Sequence, residues 1–311
     1  MCPAPSNQKT TLNNQQSLDG VLVIDKPRGM TSHDVVAVAR RSLGEKRIGH
    51  TGTLDPLATG VLPLVIGQAT RLARFLTASD KCYDATIRFG MTTDTYDVTG
   101  AELTRSGLTP TREGLDAALA SLRGEYLQMP PAFSAKKVSG HRAYDLARRA
   151  QTVELTAVPV RVSKAEVTAF DGATASIALS CSAGFYVRSF AHALGERLGT
   201  GACLEALRRT RSGEFGLDSA ITVDQLQRGP EHAASCLTSL ERLLPGVPAV
   251  TVAADALAWI THGRELGPGR YQPPIGGSPD WIRLLDPDGR LLALATRGST
   301  PGSLHPSIVL N

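Results

Sequence analysis

A twelve-residue stretch, Gly49-His-Thr-Gly-Thr-Leu-Asp-Pro-Leu-Ala-Thr-Gly60, runs directly into the apolar, β-branched run Val61-Leu-Pro-Leu-Val-Ile66. Glycines at 49, 52 and 60 permit sharp turns and close approach of backbone or ligand. Pro56 has no N–H and biases Asp55 away from helical dihedrals, so the carboxylate stands on an extended or turn backbone. The run after it reads as a buried strand. Asp55 has no second carboxylate or cysteine near it and only one histidine, His50. A lone acid on a stiff turn beside a core reads as a nucleophile, a charge anchor or a solvated turn aspartate.

Around this stretch the chain alternates irregularly. Gly20–Asp25 is a short apolar strand, and Thr31 or Ser32 caps a helix through Arg41. Ala69–Leu76 reads as a short helix and Tyr83–Phe89 as a half-buried strand. A helix over Arg112–Leu122 carries Pro110 in its first turn, and Arg142–Arg149 reads as a strongly basic helix. Pro159–Phe170 and Ala175–Cys181 form a strand pair turned by Asp171-Gly172, and Val187–Leu198 returns to helix. Few regular strand–helix–strand repeats occur. The fold class is therefore α+β, a mixed and largely antiparallel sheet flanked by helices. Residues 1–18, rich in Asn, Gln, Ser and Thr, read as a disordered tail with no apolar signal segment. Leu244–Ala249 breaks residues 19–245 from a small β-rich unit at 248–311, with strands near Val250, Trp281–Leu285 and Leu291–Thr296.

With 311 residues there is room for about two domains. A net charge of +4 permits an anionic partner without proving one. Cys2, Cys82, Cys181, Cys203 and Cys236 show no metal-ligand spacing, and their odd count and scatter suggest reduced thiols and a cytoplasmic protein. Cys82, beside Tyr83, reads as a small buried hydrophobe. No apolar run reaches the ~20 residues that span a bilayer. The spacing Gly44-Glu-Lys-Arg-Ile-Gly-His-Thr51 imitates a phosphate-binding loop, but His50 stands where that loop needs lysine, which excludes an NTPase.

Gly49–Gly60 resembles the catalytic motif of the TruB family, the tRNA pseudouridine-55 synthases. Further segments match in the family's order: Gly20-Val-Leu-Val-Ile-Asp-Lys-Pro-Arg-Gly-Met-Thr-Ser32, Lys81-Cys-Tyr83, Thr93-Asp-Thr-Tyr-Asp97 with Gly100, Pro130–Lys137, Gly184-Phe-Tyr-Val-Arg188 and Leu207-Arg-Arg209. Several motifs in order are more specific than one short pattern. The likeness covers about 19–245. Ala183 and Phe185 depart from it, where lysine or another polar residue and threonine are common, which leaves a local phosphate contact in question.

The resemblance implies a pseudouridine-synthase fold with a PUA-like C-terminal unit that grips RNA. It implies an isomerase without cofactor or metal, acting on uridine 55 in the T arm of tRNA after base flipping. Asp55 is the essential carboxylate, Arg188 on its sheet strand holds that acid ionised, and Tyr83 stacks on the base. Substrate contacts fall to His50, Asp97, Tyr186, Leu207, Lys26, Arg208 and Arg209. Basic runs at Arg40, Arg41, Lys46, Arg47, Lys136, Lys137, Arg142, Arg148, Arg149 and Arg211 suggest a phosphate-tracking groove. A monomer without obligatory protein partner is expected, and removal of 248–311 should weaken tRNA binding while sparing the chemistry on a T stem-loop. Two alternatives compete: a relative that works with guide RNA and protein partners, and an RNA-binding or folding module without catalysis.

Overall fold

The computed structural model describes residues 18–133, 137–138, 141–142, 155–272 and 279–310. The chain opens with β1 (Gly20–Lys26), α1 (Ser32–Leu43), β2 (Ile48–His50) and β3 (Thr59–Ile66). Thr31 and Asp34 form a reciprocal capping box, and Gly44 ends α1 in the left-handed region at φ 65°. A 3₁₀ turn, Gly67–Leu72, leads into the one-turn α2 (Ala73–Thr77), where a single helix had been expected over 69–76. Then follow β4 (Lys81–Phe89), the β5 (Met91–Thr93) and β6 (Glu102–Arg105) pair, α3 (Arg112–Ser121) and β7 (Gly124–Gln128). Thr111 caps α3, so Pro110 lies before the cap and not in the first turn.

Two-residue strands β8 (Lys137–Val138) and β9 (His141–Arg142) pair with each other. Arg142 is thus extended, and the rest of the basic helix expected there lies outside the described residues. The long strands β10 (Val158–Phe170) and β11 (Thr174–Cys181) precede α4 (Val187–Leu198) and β12 (Ala202–Ser212). Short elements β13 (Phe215–Gly216), β14 (Ile221–Thr222), α5 (Val223–Leu226), α6 (Pro230–Ser235) and β15 (Thr238–Ser239) close this part.

These strands build one mixed sheet in the order β14-β1-β3-β12-β4-β11-β10-β7. The β1–β14 and β3–β12 contacts are parallel, and the remaining pairings along that path are antiparallel. Alternation decides what each strand offers to each face. On β4 Tyr83, Ala85, Ile87 and Phe89 are buried on the face covered by α1, α3 and α4. On the reverse face, Val21, Val23, Val61 and Val65 meet a second unit.

That unit is a four-stranded sheet in the order β16 (Ala249–Thr251), β17 (Ile282–Leu285), β18 (Leu291–Arg297) and β19 (Leu304–Val309), with α7 (Leu257–Thr261) beside it. Leu291, Leu294 and Leu310 share a core with the β1 and β3 valines and with Leu72 and Leu76. Trp281 meets Phe75 of α2 edge-on at 4.9 Å, and the Arg74 guanidinium lies 4.8 Å from both rings. The C-terminal unit therefore backs the strands that carry the catalytic motif. Its removal would bare their valines to water, so a shortened chain would lose stability as well as the tRNA affinity expected to fall with residues 248–311.

Trp281→Ala should cost about 2 kcal/mol in denaturant unfolding. The loss should shrink when Phe75 is already alanine, because the two rings act as a pair. A chain ending at residue 247 should melt earlier than the full chain and bind an apolar dye.

Candidate active site

The Gly49–Gly60 loop is tied from three sides. Ser32 Oγ donates to Leu54 O (3.1 Å) and accepts from Leu54 N (2.8 Å). Gly29 N donates to Pro56 O (2.7 Å), and Arg209 Nη2 donates to Gly52 O (3.0 Å). Ala58 N closes the turn on Asp55 O at 3.0 Å. The loop backbone is thereby fixed while the Asp55 side chain stays 40% exposed at its apex.

Arg188 reaches that carboxylate from the first turn of α4, not from a sheet strand. Tyr186, at the N-cap, makes no side-chain cap. The amide of Gln128 brackets it instead: Oε1 accepts from Tyr186 N (2.8 Å) and Nε2 donates to Tyr186 O (3.0 Å). Ser189 Oγ adds a bond to Met129 O at 2.7 Å. The end of β7 thus registers the start of α4.

The Arg188 side chain is only 7% exposed, and its fork is filled. Nε lies 2.9 Å from Asp55 Oδ2 and 3.8 Å from Asp97 Oδ2. Nη1 donates to Thr95 O (3.1 Å) and Nη2 to Phe133 O (2.8 Å). Buried Asp97 also accepts from Thr99 N (2.9 Å) and Thr95 Oγ1 (3.0 Å), and its backbone bridges to Leu204. It supports Arg188 from behind. Next to it Tyr96 sits at φ 62°, unusual for a residue with a side chain, and stacks on His192 at 4.0 Å.

A cavity of about 220 Å³ opens at this point, walled by Asp55, Tyr83, Tyr186, Arg188 and Leu207, with Lys81 and Arg209 at its inner end. Among the described residues Asp55 is the one carboxylate on its wall. Tyr83 is buried, and burial pushes its phenol above the ordinary range while nearby Arg209 pulls it back. His50 does not line the cavity. It is half-buried at the end of β2, with its ring edge-on to His33 at 5.5 Å.

The three basic residues expected to meet substrate stand apart. Lys26 is fully buried and donates to Pro27 O (2.9 Å) and Met30 O (2.7 Å), supporting the turn that leads to α1. Arg209 is 1% exposed beneath the cavity and donates through Nε to Val61 O (2.7 Å). Arg208 points to the opposite face of β12, as alternation requires, and clasps Asp25 with bonds of 3.1 and 2.8 Å. These placements leave neither Lys26 nor Arg209 on a phosphate-facing surface. Arg41, Lys46, Arg47 and Arg211 are exposed. Lys136, Arg148 and Arg149 lie outside the described residues, as do the side chains of Lys137 and Arg142.

Residues without a role in the sequence reading complete the frame. Gln128, Ser32 and Thr95 act through long-range or backbone polar contacts that no pattern announces. Lys81 Nζ donates to Thr77 O (2.6 Å) and to Ser79 O, holding the exit of α2. Burial, then Arg209, lowers its pKa to about 8. Burial likewise brings Lys26 to about 8, with Asp55 drawing it back up. Both folded values lie below the ordinary 10.5, so the unfolded chain binds more protons between about pH 8 and 10.5. The stability contributed by these groups rises with pH across that window, and the full penalty stands below it. Unfolding measured against pH should show wild type gaining on Lys81→Met between about pH 8 and 10, with a flat difference below about 7.5.

Comparison with known proteins gives the family of the chain. Residues 40–187 match the model of the TruB family pseudouridylate synthase N-terminal domain, and 188–246 that of the tRNA pseudouridylate synthase B C-terminal domain. The tRNA pseudouridine synthase B of Solibacter usitatus (strain Ellin6076) is 45% identical, covering 94% of this chain and 100% of its own. The protein of that name from Thermobifida fusca (strain YX) is 42% identical, covering 94% and 98%. Among solved structures, a chain of a Cbf5-Nop10-Gar1 complex superposes with a TM-score of 0.73 at 26% identity, covering 94% of this chain and 85% of that one. A chain of an H/ACA RNP bound to a substrate RNA containing 2'-deoxyuridine gives the same TM-score at 24% identity, covering 94% and 86%, and shares the fold. Family models and relatives along nearly the full length together show that this chain belongs to the TruB family of pseudouridine synthases.

Proposed function

We propose that this chain converts uridine 55 in the T loop of tRNA to pseudouridine, with Asp55 as the essential carboxylate. The observation that carries the reading is a single carboxylate among the described residues of the cavity wall, held by a buried guanidinium 2.9 Å away. Isomerisation breaks the C1′–N1 bond, turns the uracil and joins C1′ to C5. The C5 proton leaves and N1 takes one up, so no net redox change occurs. One carboxylate that engages the sugar or base is what such a reaction asks of the protein. Arg188 holds its Oδ2 at 2.9 Å, and Tyr83 and Leu207 offer the faces between which a base would lie.

The cavity is smaller than the ~300–1,000 Å³ typical of drug-sized ligands and suits one nucleobase. A uridine stacked in a folded loop must leave its stack to enter, at a cost of a few kcal/mol that apolar and aromatic contacts offset. Exposed Arg41, Lys46, Arg47 and Arg211 provide candidate phosphate contacts, so binding should weaken as salt rises. The reading includes a monomer that works without guide RNA or protein partner. Among the described residues no helix is long and apolar enough to cross a membrane.

Incubation of the purified chain with an unmodified tRNA transcript, followed by base-resolved mapping, should place pseudouridine at position 55. An isolated T stem-loop should be modified at the same uridine. Asp55→Asn should abolish turnover while binding stays within about tenfold, because the amide keeps the shape and loses the charge. Modification outside the T loop, a requirement for guide RNA, or turnover by Asp55→Asn would each refute the reading.

A further inference from the structure

Arg209 is among the bulkiest fully buried side chains of the protein. Its place in the sheet is unusual: the register sets it across from Tyr83 on β4 and from Gly60 on β3. It stands between the strand that carries the tyrosine and the strand that leaves the Asp55 loop. Its guanidinium donates to Val61 O and Gly52 O, and it shares the cavity wall with its cross-strand neighbour Tyr83, whose phenol it draws back down. Gly52, at φ 133°, lets the loop lie on this group, since a Cβ there would stand 3.4 Å from Nη1.

No carboxylate forms an ion pair with Arg209 among the described residues. Two carbonyls and a phenol are costly company for a buried cation beside Lys81, and they do not neutralise it. Geometry gives the arrangement its use. Asp55 and Tyr83 come from separate elements, and catalytic groups must be held to within about half an ångström. A planar guanidinium fixes the angles between its acceptors, which an ammonium does not.

We infer that Arg209 is a positioning residue that sets the Tyr83 hydroxyl in register with the Asp55 loop. A guanidinium only donates, so toward Arg209 the phenol oxygen can only accept, and the O–H of Tyr83 is left to face the cavity. This rests on the cavity being the uridine site, and it replaces a phosphate contact by Arg209 with an internal one.

The test uses the full chain, an unmodified tRNA transcript and single-turnover kinetics beside a binding assay. Arg209→Lys should slow turnover at least about 100-fold while tRNA affinity changes less than about threefold. Adding Tyr83→Phe to Arg209→Lys should cost less than about threefold more, although Tyr83→Phe alone costs far more, because residues acting as a unit are not additive. Multiplicative losses, or binding that falls as much as turnover, would overturn the inference. Should Arg209→Lys fail to fold, exchange of the Arg209 guanidinium protons by NMR decides. It should quicken at least about tenfold in Tyr83→Phe, and unchanged exchange overturns the proposal. A wild-type chain inactive on tRNA would remove the functional reading itself. An active wild type with an unimpaired Arg209→Lys would remove this inference alone.

Discussion

The Arg188 guanidinium is the constraint on which the pocket depends. A buried cation must have its donors met, and here they are met by Asp55, the Thr95 carbonyl and the Phe133 carbonyl. These acceptors belong to three separate segments: the loop before β3, the turn after β5 and the chain after β7. One charge therefore gathers three loops around a cavity. Asp97 completes the arrangement at 3.8 Å without lining the cavity itself. It leaves Asp55 as the acid that both faces the open space and feels the cation.

The electrostatic balance around that pair is uneven. Lys26, Lys81, Arg188 and Arg209 are all buried, whereas of the acids near them, Asp34, Asp55, Asp80 and Asp97, Asp97 alone is buried. Backbone carbonyls carry much of the compensation: Pro27 and Met30 for Lys26, Thr77 and Ser79 for Lys81, Gly52 and Val61 for Arg209. Such acceptors hold a cation without cancelling it. The interior of the pocket is consequently biased toward anionic character in whatever occupies it, a property suited to RNA and to charge that develops on a uracil.

Much of this was legible in the sequence. Strong alternation on β4 and β11, the Thr31 cap and the 3.6-residue pattern of Val187–Leu198 come from local chemistry, and the fold follows it. The strand β12 was not legible. Ala-Cys-Leu-Glu-Ala-Leu-Arg-Arg-Thr-Arg-Ser is rich in helix formers, and only its position between β3 and β4 makes it extended. Missing that strand had a direct consequence at the site. Arg208 and Arg209 read as one basic run, but a period of two sends them to opposite faces. The family likeness places Arg188 on a strand, whereas the periodicity of Val187–Leu198 already puts it in a helix, whose start Gln128 fixes from far away in sequence by bonding the backbone of Tyr186.

Gly60 lies at φ 98° where β3 runs beside β12, and a Cβ there would stand 2.2 Å from the Arg209 carbonyl oxygen. Any side chain would prise those two strands apart at the row shared by the Asp55 loop and Tyr83. In a survey of random variants, position 60 would consequently score like a reacting group although it does not line the cavity. Genetic intolerance in this protein therefore maps the seam of the sheet as well as the chemistry, and a hit list read without the structure would confuse the two.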